Sequence, residues 1–153
     1  IGWCDWSSDV CSSDLPGFEY LLANKGSIAC PIGGKIIQSF GEVTTGKKET
    51  IFHSGLDIRA TAGAPVKSIA GGKVVFSGKL RGYGKLVVID HGRGYLSLYG
   101  YLEKINVRQD STVSRGYEIG RIGDSSSLKG PTLFFGLRKG GQPENPKSWT
   151  DCR

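Results

Sequence analysis

The sequence predicts an all-β domain, a sandwich or barrel-like sandwich of short antiparallel strands. Three observations predict it. From Gly26 onward the apolar residues alternate with polar ones or form short runs; glycine, 24 residues of the chain, bounds most of those runs; and turn signals recur about every 8–12 residues. The elements follow in order. "GKIIQSF" (34–40) reads as a first strand, and the polar stretch "GEVTTGKKETI" (41–51) as a loop. "GLDIRA" (55–60) and "PVKSIA" (65–70) are the next strands, and "GGKVVFSGKL" (71–80) is opened by a Gly71-Gly72 turn. "GKLVVIDHG" (84–92), "GYLSLYGYL" (94–102), "YEIGRIG" (117–123) and "PTLFFGLRKGG" (131–141) complete the series. Within the last, Thr132, Phe134 and Gly136 share one face and Leu133, Phe135 and Leu137 the other. If the odd residues face the core, the even ones face a groove or solvent.

The stretch before Gly26 is read separately. Residues 16–25 suit a linker or the end of an upstream helix, too short to support a domain of its own. "DWSSDVCSSDL" (5–15) resembles the translation of a common sequencing adapter, and "IGWC" before it fits the index bases that flank such a strand. Residues 1–15 are therefore set aside as an assembly artefact, and the folded domain is expected over 26–150.

That exclusion changes the balance of charge. The fifteen residues hold three of the 14 acidic side chains and no Lys or Arg, so the rest of the chain carries +9 rather than +6. A basic chain favours acidic partners: nucleic acid, a membrane surface or an anionic cell-wall polymer. The scattered Lys and Arg, with Tyr83, Tyr95, Tyr99 and Tyr101 between them, match no nucleic-acid motif and read as a solvated strand face. No apolar run approaches the roughly 18 residues of a membrane helix. There is no Met, so the chain is expected to be a piece of a longer product. Cys30 and Cys152 sit at opposite ends of the domain without metal-ligand spacing and are read as two unpaired thiols, with one disulfide as the alternative in an exported protein.

"FHSGLDI" (52–58) carries the sharpest chemical signal. An even separation in a β run lets His53 and Asp57 face the same side and reach one ion. A catalytic zinc takes three protein ligands and an open position, and the chain has only two histidines. The other, His91, sits at a strand end beside a glycine turn and reads as a turn-stabilising hydrogen-bonding residue. "RGYGKL" (81–86) lacks the strand, loop, Lys and helix order of a phosphate cradle and reads as a β-turn. "DSSSLKG" (124–130) offers hydroxyls without a neighbouring base, which argues against a serine nucleophile. The pattern from Val113 to Gly123 is also similar to lipoyl and biotinyl carrier domains, but reads as shared turn geometry.

Taken in order, "HSGLDIRATAGAPVKSIAGGKVVFSG", "GYGKLVVIDHGRGYLSLYGYL", "VSRGYEIGRIGDSSSLKGP" and "LFFGLRKGGQPENPKSW" resemble the LytM or lysostaphin-type zinc endopeptidase domain. The resemblance runs over about residues 26–149. It implies a LytM-like fold in which a His-x-x-x-Asp pair and the last histidine of Gly-Pro-His-x-His hold the metal. The first histidine of that segment, with one in Tyr-x-His-Leu, assists catalysis. Here the pair is present as His53 and Asp57. "YGYL" puts Tyr101 in place of one catalytic histidine, and "GPTLF" puts Thr132 and Phe134 in place of the other and of the metal ligand. With three of the five positions substituted, no group remains to take a proton from metal-bound water, and hydrolysis is not expected.

"SLYGYL" and "GPTLFFGLR" are similar to the EnvC-type branch, whose degenerate LytM domains activate cell-wall amidases. That resemblance implies the C-terminal domain of an exported, periplasmic protein with an upstream coiled coil. It would be non-catalytic and free of cofactor, would work close to peptidoglycan, and would have an N-acetylmuramoyl-L-alanine amidase as partner. Its groove would offer Tyr101, Thr132 and Phe134, with Arg138 and Arg81 to pair with acidic groups. Two rivals stand beside this reading. One is a zinc endopeptidase that recruits His91 or Asp90 as a third ligand; the other is a plain cell-wall binding module, which the +9 charge supports.

Overall fold

A computed structural model describes residues 17–44, 46–47, 49–123 and 130–152. The adapter-like segment 1–15 and the serine-rich stretch 124–129 lie outside the described residues. The chain opens with a helix, α1 (Gly17–Ala23), and continues through β1 (Lys35–Gln38), β2 (Gly41–Thr44), β3 (Thr50–His53), β4 (Leu56–Arg59) and β5 (Pro65–Lys67). Then come β6 (Gly72–Leu80), β7 (Gly84–Gly92), β8 (Tyr95–Ile105), β9 (Thr112–Val113), β10 (Glu118–Ile122), β11 (Thr132–Lys139) and β12 (Gln142–Glu144), with a 3₁₀ turn at Pro146–Ser148. The all-β expectation holds.

The main sheet has ten strands with the path β1-β4-β11-β8-β7-β6-β9; β10 pairs with β5 and β8, and β12 with β11. All of these strand pairs are antiparallel. The central strands β7, β8 and β11 are long because their apolar alternation is uninterrupted by Pro. On β11 every residue from Thr132 to Leu137 is buried, so the two faces predicted from "TLFFGL" both pack. Leu133, Phe135 and Leu137 enter the large core with Tyr99, Val87 and Ile89. Phe134 enters a smaller cluster on the opposite face with Leu86 and Leu98. Burying a side chain of this kind stabilises by roughly 1.5–3 kcal/mol, which is why a Phe135→Ala change would be felt throughout the sheet.

Four readings need correction. The stretch 41–51 is not a loop: β2 and β3 pair from Gly41·His53 to Thr44·Thr50 as a two-stranded sheet of their own. The β-branched Val43, Thr44, Thr50 and Ile51 favour extended backbone, and that preference outweighs the polarity that suggested a loop. Tyr99 and Tyr95 are not on a solvated face but buried in the core, and Tyr99 Oη accepts the backbone N–H of Ile69. Cys30 and Cys152 are not free thiols but a disulfide, with Cα atoms 5.0 Å apart. The chain ends are brought together by a bridge between Ile28 and Thr150, and the backbone N–H of Cys30 donates to Asp151 Oδ1. Lastly, the linker reading of residues 16–25 gives way to its alternative, a helix. A seven-residue helix is not stable alone, but Leu21 is fully buried in the core. Arg93 lies over the Phe18 ring and Arg115 over Tyr20. The helix stops where the Asn24 side-chain amide donates to Tyr20 O and Gly26 takes a positive φ. The folded unit thus begins before Gly26, and among the described residues no helix is long and apolar enough to cross a membrane.

Candidate functional site

His53 and Asp57 do converge, but not along one strand. His53 ends β3 and Asp57 lies within β4, with Ser54 and Gly55 turning the chain between them. The two side chains face each other across that break, His53 Nε2 3.3 Å from Asp57 Oδ1. The approach is close, yet its angles are not those of a hydrogen bond. Asp57 is 0% exposed, held in register opposite Phe134 on β11 and Gln38 on β1.

Phe134 occupies the middle of the site. Its ring is 5.7 Å from that of His53 and 6.3 Å from Tyr101, both edge-on, and 5.0 Å from Tyr83. It is 3% exposed. Room for it comes from glycines: a Cβ on Gly55 would stand 2.8 Å from Phe134 Cζ, and one on Gly136 3.2 Å from Cε2. A larger residue at Gly55 would also meet the carbonyl oxygen of Phe135 at 2.5 Å. Tyr101 reaches the cluster through unusual backbone, φ 62°, a conformation that is uncommon and costly away from glycine. Its N–H donates to Tyr83 O at 2.7 Å, which fixes the two tyrosines together. Burial raises the Tyr101 phenol above its ordinary pKa, and the negative charge of Asp57 adds to that, with a further contribution from Tyr83. The phenol therefore stays a neutral donor at the rim.

The remaining expected residues fall differently. Thr132 is fully buried two residues before Phe134 on β11, and among the described residues its Oγ1 has no hydrogen-bond partner. Arg138 shares the face of Phe134 and Gly136 but stands four residues along β11, about 13 Å at the usual strand rise, and donates to Gly141 O. Arg81 is exposed in the 81–83 turn whose Tyr83 packs on Phe134. Tyr83 is the residue that sequence reasoning missed; its flanking glycines, in "RGYGKL", were the available sign of a tight turn presenting one aromatic side chain.

His91 lies elsewhere. It is buried on the core face, where Nδ1–H donates to Gly71 O at 2.7 Å and Nε2 accepts from Ser97 Oγ at 2.7 Å. A carbonyl can only accept, so the tautomer follows from the first bond. Burial lowers the His91 pKa, partly offset by the Gly71 bond and by Asp90. Gly17 of α1 packs against it, since a Cβ there would lie 2.8 Å from His91 Cβ. His91 thus ties the turn and α1 to the sheet, and it does not approach His53.

These residues do not fit a catalytic zinc. The His53–Asp57 pair offers two donors, and the ring of Phe134 fills the neighbouring space with no lone pair to give. Among the described residues no three or more His, Cys, Asp or Glu side chains come together. What the arrangement provides is a shallow aromatic cluster, Tyr83, Tyr101 and Phe134, bordered by Leu96, Val88 and Phe76.

Comparison with known proteins gives the same placement. Residues 51–146 match the model of Peptidase family M23. The chain is 37% identical over 129 residues to the murein hydrolase activator EnvC of Escherichia coli, which covers 84% of this chain and 30% of the relative. It is 35% identical over 121 residues to the cell division protein DipM of Caulobacter vibrioides, covering 78% of this chain and 19% of the relative. The chain therefore spans less than a third of the length of these curated relatives. Among solved structures, a zinc-containing peptidase from Vibrio cholerae superposes with a TM-score of 0.73 at 28% identity, over 80% of this chain and 40% of that one. The matched span contains the His53–Asp57 pair, Tyr101, Thr132 and Phe134, and the strands that carry them: the chain belongs to peptidase family M23.

Proposed function

We propose that this domain binds and activates an N-acetylmuramoyl-L-alanine amidase in the periplasm, close to peptidoglycan, and does not itself cut the wall. One observation carries the reading: the Phe134 side chain fills the place beside His53 and Asp57 where a third metal donor would have to stand. The names of the relatives support it, since EnvC is described as a murein hydrolase activator. The groove then acts by contact. Tyr83 and Tyr101, half-buried over the buried Phe134 ring, offer rigid aromatic surface to an apolar side chain of the amidase, the Tyr101 hydroxyl donates a hydrogen bond, and Arg138 and Arg81 attract acidic residues at the edge.

The test uses dye-labelled sacculi with the chain alone, with the amidase alone, and with both. Release is expected above the amidase baseline only in the mixture. Tyr101→Ala and Tyr83→Ala, which truncate the rim and leave the large core intact, should each reduce that stimulation about tenfold, in the range of interface anchors. Release by the chain alone, abolished by chelator and by His53→Ala, would sink the proposal in favour of an endopeptidase. The retained His53–Asp57 pair is the observation that keeps that second reading in view.

A further inference from the structure

A second surface feature shares no residue with the aromatic cluster. A cavity of ≈180 Å³ opens between α1, the 29–31 segment, β5 and the 115–116 turn. Its walls are apolar: Ala29, Pro31, Ile69 and the Tyr20 ring. Two cations stand at its mouth, Lys67 and Arg115, both exposed. Arg115 lies over Tyr20, its guanidinium carbon 4.4 Å from the ring centroid. That stacking fixes the fork of N–H donors without consuming any of them. Lys67 is paired in register with Glu118, but the Glu118 carboxylate is taken by Arg121 at 3.1 Å and Asn106 at 3.0 Å. Among the described residues neither cation has a carboxylate partner.

The dimensions narrow the ligand. Pockets that engulf a whole small molecule are about 300–1,000 Å³. This one is smaller, so it takes the end of something larger. Three backbone donors around it are already spent: Lys67 N–H on Pro31 O, Ser68 N–H on Tyr117 O, and Gly116 N–H on Ser68 O. The charged groups at the mouth that face a polar ligand are the two side-chain cations, both positive. An anionic end group with a small apolar substituent matches that set, the charge at the mouth and the substituent against Ala29, Pro31 and Ile69. We infer that this cavity binds the C-terminal residue of a short peptide, a free carboxylate on Lys67 and Arg115 with a methyl-sized side chain in the apolar floor. Capture of a terminal carboxylate is a recurrent mode of peptide recognition, and here it is independent of the aromatic cluster that the proposed amidase contact uses.

The experiment is a titration of the isotope-labelled chain with N-acetyl-Ala-Ala as the free acid, with its C-terminal amide, and with inorganic phosphate, followed at the backbone amides of Ala29, Ser68 and Gly116. The free acid should give saturable shifts at these three positions, with the amide binding about tenfold more weakly, as expected for loss of a charge-assisted contact. Arg115→Gln and Lys67→Gln should each weaken the free acid by a similar factor while the dispersed spectrum reports an intact fold. Arg115→Lys, which keeps the charge but not the fork, should retain part of the affinity. Equal binding of acid and amide, the same shifts produced by phosphate at the same midpoint, no saturable shift, or indifference to both Gln variants would each overturn the inference.

Discussion

At the scale of single residues, the candidate site is decided by one substitution in particular. Phe134 is packed on three sides by rings and on others by glycines, so it is a fitted core residue and not an exposed leftover. It also occupies the position beside the His53–Asp57 pair from which a third donor would have to reach them. Phe134→His is smaller, keeps a flat ring and places a nitrogen in that space. The chain carrying it should retain stoichiometric zinc after dialysis against metal-free buffer, whereas the parent chain should not; metal content measured by atomic absorption checks both. Zinc held by the parent chain at one per molecule would mean that a donor outside the described residues completes the site. The same residue explains a limit of sequence reading. The pair and its lost partners were legible as residue types at fixed spacing. Tyr83 was not, because only the pairing of β6, β7, β8 and β11 brings its turn over Phe134.

At the scale of elements, the long strands and the shorter β1, β4, β5 and β10 were legible, whereas β9, β12 and the β2–β3 hairpin were not, for a physical reason. In β7, β8 and β11 one or both faces are buried, so hydrophobic alternation fixes them strongly. The two-residue β9 and three-residue β12 are too short to show any period. The β2–β3 hairpin failed differently. Its strands pair only with one another, and Ile51 and Phe52 stay 53% and 55% exposed, so no buried face imposed a pattern to read. Its visible brace is the edge-on contact of Phe52 with Phe40, ring centroids 5.1 Å apart. Two-stranded hairpins are marginal by themselves. Its amides should therefore exchange with solvent at least ~100-fold faster than those of Leu98 and Tyr99 in β8, in the manner of a low-stability unit. Equal protection in the two places, measured by native-state hydrogen exchange, would show that the hairpin unfolds only with the sheet. α1 was legible only as one of two readings of residues 16–25, a linker or the end of a helix, and its docking was not legible at all, because Arg93, Arg115 and Gly71 come from distant turns.

At the scale of the whole molecule, the Cys30–Cys152 disulfide ties the start and finish of the described fold covalently. It closes a span of 122 residues, and a cross-link of that reach typically stabilises by about 2–4 kcal/mol through the unfolded chain. Cys30→Ser and Cys152→Ser should each lower the unfolding free energy by that amount in urea, and a reductant should do the same to the parent chain and nothing further to either variant. An unchanged midpoint would assign the closure to the Ile28·Thr150 bridge and the bonds around it, in which Gly26 and Ile28 N–H both donate to Trp149 O. This closure also sets how the domain answers a mechanical pull. Tension applied through the segment preceding Ile28 and resisted beyond Cys152 passes from one to the other across the bridge and the sulfur atoms, and the sheet between them lies outside the path. The aromatic cluster would keep its shape on a taut chain, and a tether attached at both ends would lengthen by almost nothing until that single bond was cut.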